Sequence, residues 1–209
     1  ALTTAQFKLL SSNQVQGLST DQIAAITTAQ AKVLTTDQLA ALSTTQVAAF
    51  ENQDLAALST SQLDVFEVES IAALSTSQVR ALTTAQVASL STDKIAGLAS
   101  SQIQALTTAQ TKALTSDQML ALTPDNISAL STAQIKVVQA AELAAFSPAL
   151  IEALSSDQTA ALTTQQLASL GTDQIRAFDL DDISALTSAQ AKALTIGQID
   201  ALSVDQFSA

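Results

Sequence analysis

The chain of 209 residues has no His, Cys, Trp or Tyr, and only 4 Gly and 2 Pro. It therefore lacks an imidazole base, a thiolate nucleophile, and the nitrogen and sulfur ligands that zinc, copper and haem sites normally use. No disulfide bond can form. Its 6 aromatic residues, all Phe, are few for a compact core of this length, so the core must be aliphatic. These absences predict a protein that is not an enzyme, with no catalytic residue and no cofactor.

Positive charge is also scarce, because 8 Lys and Arg stand against 19 Asp and Glu and give a net charge of -11. Such an excess of negative charge repels phosphate backbones and anionic lipid surfaces. No apolar run approaches the 18 or more residues of a membrane span. We therefore predict no nucleic-acid partner and no insertion into a membrane.

What the chain has instead is a repeat of eight residues. From Leu2 onward it divides into 26 octads without insertion or deletion, and the consensus is L-[ST]-T-x-Q-[IVL]-x-A. The first place always holds a large apolar residue, and the sixth is apolar in all octads except those with Thr111 and Thr159. The domain prediction is therefore a single uninterrupted repeat array over residues 2–209.

A short helix that restarts in every octad explains this period. A strand would bury places of one parity, whereas the first and sixth places have opposite parity. One continuous helix would turn its apolar stripe by about 80° per octad, so the stripe would not face one partner. Ser or Thr at the second place in 20 octads and Gln at the fifth in 19 form the S/T-x-x-Q capping box. The second residue is then the N-cap, and the helix begins at the third place.

Independent features of the sequence support this frame. Pro124 and Pro148 both fall at the third place, the first helical position, where the missing N–H costs nothing. Of the 19 acidic residues, 10 lie at the fourth place, and 7 of the 8 basic residues lie at the seventh. The helix dipole favours acids early and bases late in a helix.

The predicted fold class is all-α: an α-solenoid of very short capped helices, one per octad, because helices this short need neighbours to persist. The parity of the exceptions favours two octads per coil, or another even number. Phe at the first place occurs only in odd-numbered octads, and the undersized sixth residues only in even-numbered ones. These residues are Phe50, Phe66, Phe146 and Phe178, and Ala31, Thr111, Thr159 and Ala191.

Three octads combine Phe with clustered acids, at residues 50–54, 66–70 and 178–182. Asp179, Asp181 and Asp182 form a candidate weak calcium site, since hard cations bind several oxygens. The alternative is that Asp179 caps its own helix and the other acids occupy the first turn. Lys94 replaces Gln at the fifth place, and we expect it to be a tolerated cap variant on a solvated face.

The repeats LSTDQIAA, LTTAQVAS, LSTSQVRA and LTTDQLAA, at residues 18–25, 82–89, 74–81 and 34–41, carry a resemblance. They resemble the tandem octapeptide arrays of large bacterial secreted or surface proteins, often adhesin-like. All 26 octads share the likeness. The resemblance implies an extracellular or cell-surface location in a bacterium, and it brings no active-site motif.

The predicted function is a noncatalytic structural repeat module, an extracellular spacer, stalk or fibre component. One alternative is a binding scaffold for a protein, an ice crystal or a mineral surface, using one solvent face and a patch such as Lys112 and Lys136. Another is a self-stacking filament or surface-layer subunit with end-to-end homo-association, because the repeats run to both ends of the sequence without a divergent cap.

Overall fold

A computed structural model describes residues 2–209, which form 26 helices and no strand. The helices are α1 Thr4–Lys8, α2 Ser12–Gln16, α3 Thr20–Ala24, α4 Thr28–Ala31, α5 Thr36–Ala40, α6 Thr44–Ala48, α7 Asn52–Ala57, α8 Thr60–Asp64, α9 Val68–Ala72, α10 Thr76–Ala81, α11 Thr84–Ser89, α12 Thr92–Ala96, α13 Ser100–Ala105, α14 Thr108–Ala113, α15 Ser116–Leu120, α16 Pro124–Ala129, α17 Thr132–Ile135, α18 Ala140–Ala144, α19 Pro148–Glu152, α20 Ser156–Ala161, α21 Thr164–Ser169, α22 Thr172–Arg176, α23 Leu180–Ser184, α24 Ser188–Ala193, α25 Ile196–Ala201 and α26 Val204–Ser208.

Every helix begins at the third place of its octad, as the sequence predicted. In α10, the N-cap Ser75 has extended backbone angles, and its hydroxyl oxygen accepts the backbone N–H of Gln78 at 3.2 Å. The side-chain oxygen of Gln78 accepts the N–H of Ser75 at 2.7 Å, which closes the capping box. Leu82 then continues the chain in extended conformation, and no residue within 2–209 has a positive φ. The turns between helices therefore need no glycine.

The large residues at the first and sixth places form the core. Leu34 is 3% exposed and Leu39 is fully buried, and both columns repeat this pattern along most of the chain. Burying such a pair contributes about 3–6 kcal/mol, whereas ordering eight residues costs on the order of 12 kcal/mol. An octad is stable only when neighbouring octads share its apolar side chains.

The helices fall into two compact units, Ala1–Leu114 and Thr115–Ala209. Within each unit, every helix packs against the third helix after it: α1 against α4 and α2 against α5 in the first, α15 against α18 and α16 against α19 in the second. The α-solenoid is therefore confirmed, with three octads, or 24 residues, per coil. Whether residues 2–209 act as one uninterrupted array stays a prediction.

The expectation of two octads, or another even number, per coil is wrong. In a coil of three helices, octads two apart lie on different sides of the same core, and their first-place side chains meet inside it. Phe50 and Phe66 show this, with ring centroids 6.4 Å apart. Their shared parity reflects contact across the core and carries no information about which helix stacks on which.

No helix within residues 2–209 is long and apolar enough to cross a membrane.

Candidate functional site

The side chains at the fifth place, here called the fifth-place column, form a buried polar layer between coils. Gln86 is 2% exposed, and its side-chain oxygen accepts the backbone N–H of Thr83 at 2.8 Å. Its side-chain nitrogen donates to the carbonyl oxygens of Leu55 and Leu58, both at 2.8 Å. One amide therefore caps the start of α11 and also binds two carbonyls at the end of α7.

The same geometry recurs in both units, where the side-chain nitrogen donates to the carbonyl 28 residues earlier at 2.6–2.9 Å. The glutamines that do so are Gln30, Gln38, Gln46, Gln62, Gln78, Gln86, Gln102, Gln110, Gln158, Gln166, Gln174, Gln190, Gln198 and Gln206. A helix leaves its last carbonyls without intrahelical partners, and the next coil supplies the donors.

The capping role of Gln was predicted from sequence, but its second role was missed. A signal for it was present, because a capping box accepts Glu as readily as Gln and the helix dipole favours Glu. The fifth place nevertheless holds Gln in 19 octads and Glu only at Glu142. Such a bias indicates that the position needs a donor as well as an acceptor.

Lys94 does not lie on a solvated face, contrary to expectation. The residue is 7% exposed, and its ammonium group donates to the backbone carbonyl and to the carboxylate of Asp64, with 3.1 Å to the carboxylate oxygen. The side chain thus occupies the place of a Gln amide and binds the end of α8 in the preceding coil. Only the donating half of the Gln function is kept.

The calcium candidates are engaged in a helix cap. Asp179 accepts the backbone N–H of Asp182 at 2.7 Å, and Asp182 accepts that of Asp179 at 3.2 Å, so the capping alternative is confirmed for Asp179. The other oxygen of Asp182 accepts the hydroxyl of Thr159 at 3.1 Å, and Asp181 is exposed in the first turn. Among the described residues, no three acidic side chains converge in a metal-binding group. The weak calcium site stays a prediction.

Burial raises the pKa of the Asp182 carboxyl, and the negative charges of Asp179 and Asp181 add to the rise. The hydrogen bonds from the Asp179 N–H and the Thr159 hydroxyl act in the opposite direction, because they favour the ionised form. Asp182 is 3% exposed. It is thus a buried acid whose two oxygens are engaged by the helix cap and by Thr159.

The other two acidic octads depart further from the consensus. Their N-caps, Glu51 and Glu67, make no side-chain cap hydrogen bond. At the fifth place, Asp54 is fully buried and accepts the Thr28 hydroxyl at 2.7 Å, while the Ser70 hydroxyl lies 3.5 Å from that of Thr44. In both octads the fifth-place side chain therefore meets a third-place hydroxyl of the preceding coil.

The outer surface carries the second-place hydroxyls, the basic side chains at helix ends and an open groove. The second-place hydroxyl oxygens accept backbone N–H groups in the caps. Whether they also bind ice or a mineral surface stays a prediction. The proposed patch residues are both exposed at helix ends, Lys112 in the first unit and Lys136 in the second. An open groove of about 600 Å³ in the second unit is bordered by Arg176, Leu180 and Asp205.

Comparison with known families gives one result that agrees with the geometry. The ALTTAQ repeat family model matches residues 1–28, 17–44, 47–92, 65–100, 95–124 and 138–172, which together make up well over half of the chain. A search of the curated proteins finds no match.

Proposed function

Because the chain belongs to the ALTTAQ repeat family, we propose that it is a noncatalytic structural module, an extracellular spacer or stalk of a bacterial surface protein. The observation that carries this proposal is how the polar groups are used. The fifth-place amides join one coil to the next, and the second-place hydroxyls cap the helices. The polar side chains of these two columns are therefore occupied in holding the stack.

A spacer of this kind has a length set by the number of octads. Within the first unit, α4, α7, α10 and α13 pack in succession, each on the one before. Neighbouring helices are typically about 8–10 Å apart. Removing three octads should therefore shorten the stack by one helix spacing and leave the column assignment of all later octads unchanged.

Spin labels can measure this spacing, because the chain has no Cys of its own. Ala29 and Ser101 are exposed on α4 and α13 and can both be changed to Cys. Deleting residues 50–73 removes α7–α9, and the distance between the labels should fall by about 8–10 Å relative to the undeleted double mutant. An unchanged distance would refute a spacer built from additive coils.

The location is tested separately. A tag inserted between octads should be reached by antibody on intact bacterial cells that produce the protein. Labelling that requires cell lysis would place the array inside the cell and contradict the extracellular assignment.

A second candidate function is end-to-end association of copies of this chain. The side-chain nitrogens of Gln6, Gln14 and Gln22 donate to no carbonyl among residues 2–209, and Leu9 and Phe207 are 84% and 71% exposed. Further octads of a longer chain would satisfy the same groups. Sedimentation that shows a monomer at all concentrations of the purified chain would refute association.

A further inference from the structure

Asp54 is the one acidic residue of the fifth-place column whose carboxylate is left with an unsatisfied oxygen. Glu142 accepts the backbone N–H of Gln139 with one oxygen, at 3.0 Å, and the Gln139 side-chain amide with the other, at 3.2 Å. Both oxygens of Asp182 also have donors. In Asp54, one oxygen accepts the Thr28 hydroxyl at 2.7 Å, whereas the other is buried and has no hydrogen-bond partner among the described residues.

The register of the coils indicates a carbonyl acceptor below Asp54. In the Gln octads, the side-chain nitrogen binds the carbonyl 28 residues earlier, as Gln62 binds Leu34 at 2.7 Å. The corresponding carbonyl below Asp54 belongs to Ile26, because α7 packs on α4 in the same register. A carboxylate cannot donate to it, and no other described residue does. Burying a charge beside a carbonyl without a donor is costly, so the site calls for a positive partner.

At another junction of the first unit, the fifth-place column holds a positive charge. In α12, Lys94 donates from its buried ammonium group to the backbone carbonyl and the carboxylate of Asp64. Lys94 is 7% exposed, so the charge is held inside the stack. At Asp54 the chain itself supplies the anion and no cation.

We propose that Asp54 holds a sodium ion between α4 and α7. The ligands that the chain offers are all oxygen: the Asp54 carboxylate, the Thr28 hydroxyl and the Ile26 carbonyl. Oxygen ligands suit hard cations. Only one of them is charged, so a monovalent ion leaves the buried site neutral, whereas calcium prefers several carboxylates.

The test is the thermal unfolding of the full chain in sodium, potassium, calcium or choline chloride at equal ionic strength. Sodium should raise the Tm by about 2–4 °C, because an ion that binds only the folded state stabilises it. Sodium NMR line widths should broaden in the presence of the protein. D54N and D54Q remove the charge and restore a donor toward Ile26, so both should lose the broadening and the shift.

D182N is the matched control, because both oxygens of Asp182 already have protein donors. Removing this carboxylate should leave the sodium response intact. A Tm that is the same in sodium, potassium, calcium and choline chloride would overturn the proposal. A response to calcium alone would overturn the monovalent assignment. A response of D54N equal to that of the unmodified chain would locate the ion elsewhere. None of these outcomes bears on the spacer measurement.

Discussion

Two junctions of the first unit, α11 on α8 and α7 on α4, have the same backbone arrangement but different polar chemistry. Gln86 satisfies a helix start and two carbonyls, whereas Asp54 keeps one oxygen without a partner. Both helices begin at the third place, and each packs on the third helix before it. Helices therefore stack in the same way with or without the fifth-place amide. The amide determines whether the polar groups between the coils have hydrogen-bond partners.

The largest predicted effect concerns the feature that both junctions share, the restart of a helix in every octad. Ile23→Pro should destabilise the chain by about 3 kcal/mol or more, because it removes the hydrogen bond from Ile23 N–H to Ser19 at 2.9 Å inside a helix. Thr20→Pro, at the first helical position, should change stability by less than about 1 kcal/mol. Urea unfolding measures both. Equal losses would show that helices do not restart once per octad.

The next prediction concerns the amide itself. Gln86→Ala should cost about 2–4 kcal/mol in urea unfolding, because it leaves the buried Leu58 carbonyl and the Thr83 N–H without their partner. Gln22→Ala should cost only about 0.5–2 kcal/mol, since Gln22 is exposed and makes only its capping contacts with Ser19.

A third substitution separates the two roles of Gln86. Gln86→Glu keeps the acceptor for Thr83 and loses the donor to Leu55 and Leu58. We expect it to destabilise at least as much as Gln86→Ala at neutral pH, because it also buries a charge. If Gln86→Glu were neutral, capping alone would explain the column.

Restoring the consensus should have a smaller effect of opposite sign. Ser70→Gln supplies the amide that α9 lacks, with its oxygen toward Glu67 N–H and its nitrogen toward the Leu42 carbonyl, 28 residues earlier. The gain should be about 0.5–1.5 kcal/mol, the usual net value of a satisfied hydrogen bond. Urea unfolding of Ser70→Gln beside Ser70→Ala is the measurement, and a loss of stability would mean that the site cannot accept the longer side chain.

The smallest effect is a dependence on pH at Asp182. Its pKa is raised in the folded chain by burial, so folding favours the protonated form. This contribution is present below the unfolded pKa of about 3.9 and is lost as pH rises through the folded value. Asp182→Asn should therefore be more stable than the unmodified chain at neutral pH, with the difference shrinking in acid. A pH-independent difference would contradict this assignment.

The sequence was sufficient to predict the helices because their boundaries depend on local chemistry. Thr83, Gln86 and the large residues around them specify a start, a cap and an end within eight residues. The number of octads per coil could not be predicted in this way, since nearly identical octads leave few exceptions to pair. Phe50 and Phe66 touch across the core, and their spacing alone does not distinguish that contact from stacking.

The fifth-place column was predicted only in part, for a related reason. The capping contact joins residues three apart and is visible in one octad, whereas the donation from Gln86 to Leu55 spans 31 residues. Lys94 and Asp54 are buried because they occupy the same fifth place, which packs against the preceding coil. From one octad alone, an acid or a base at the fifth place is indistinguishable from a variant on the surface, because its partners belong to the preceding coil.

A period of three helices also determines how such an array tolerates changes in length. Loss of one octad would rotate everything after it by a third of a coil, and consensus octads would meet equivalent partners because all offer the same donors and acceptors. A mismatched phase would be unfavourable only where two departures from the consensus contact each other, as Thr159 does with Asp182. Such a pair favours one of the three possible alignments of successive coils, which consensus octads alone would not distinguish.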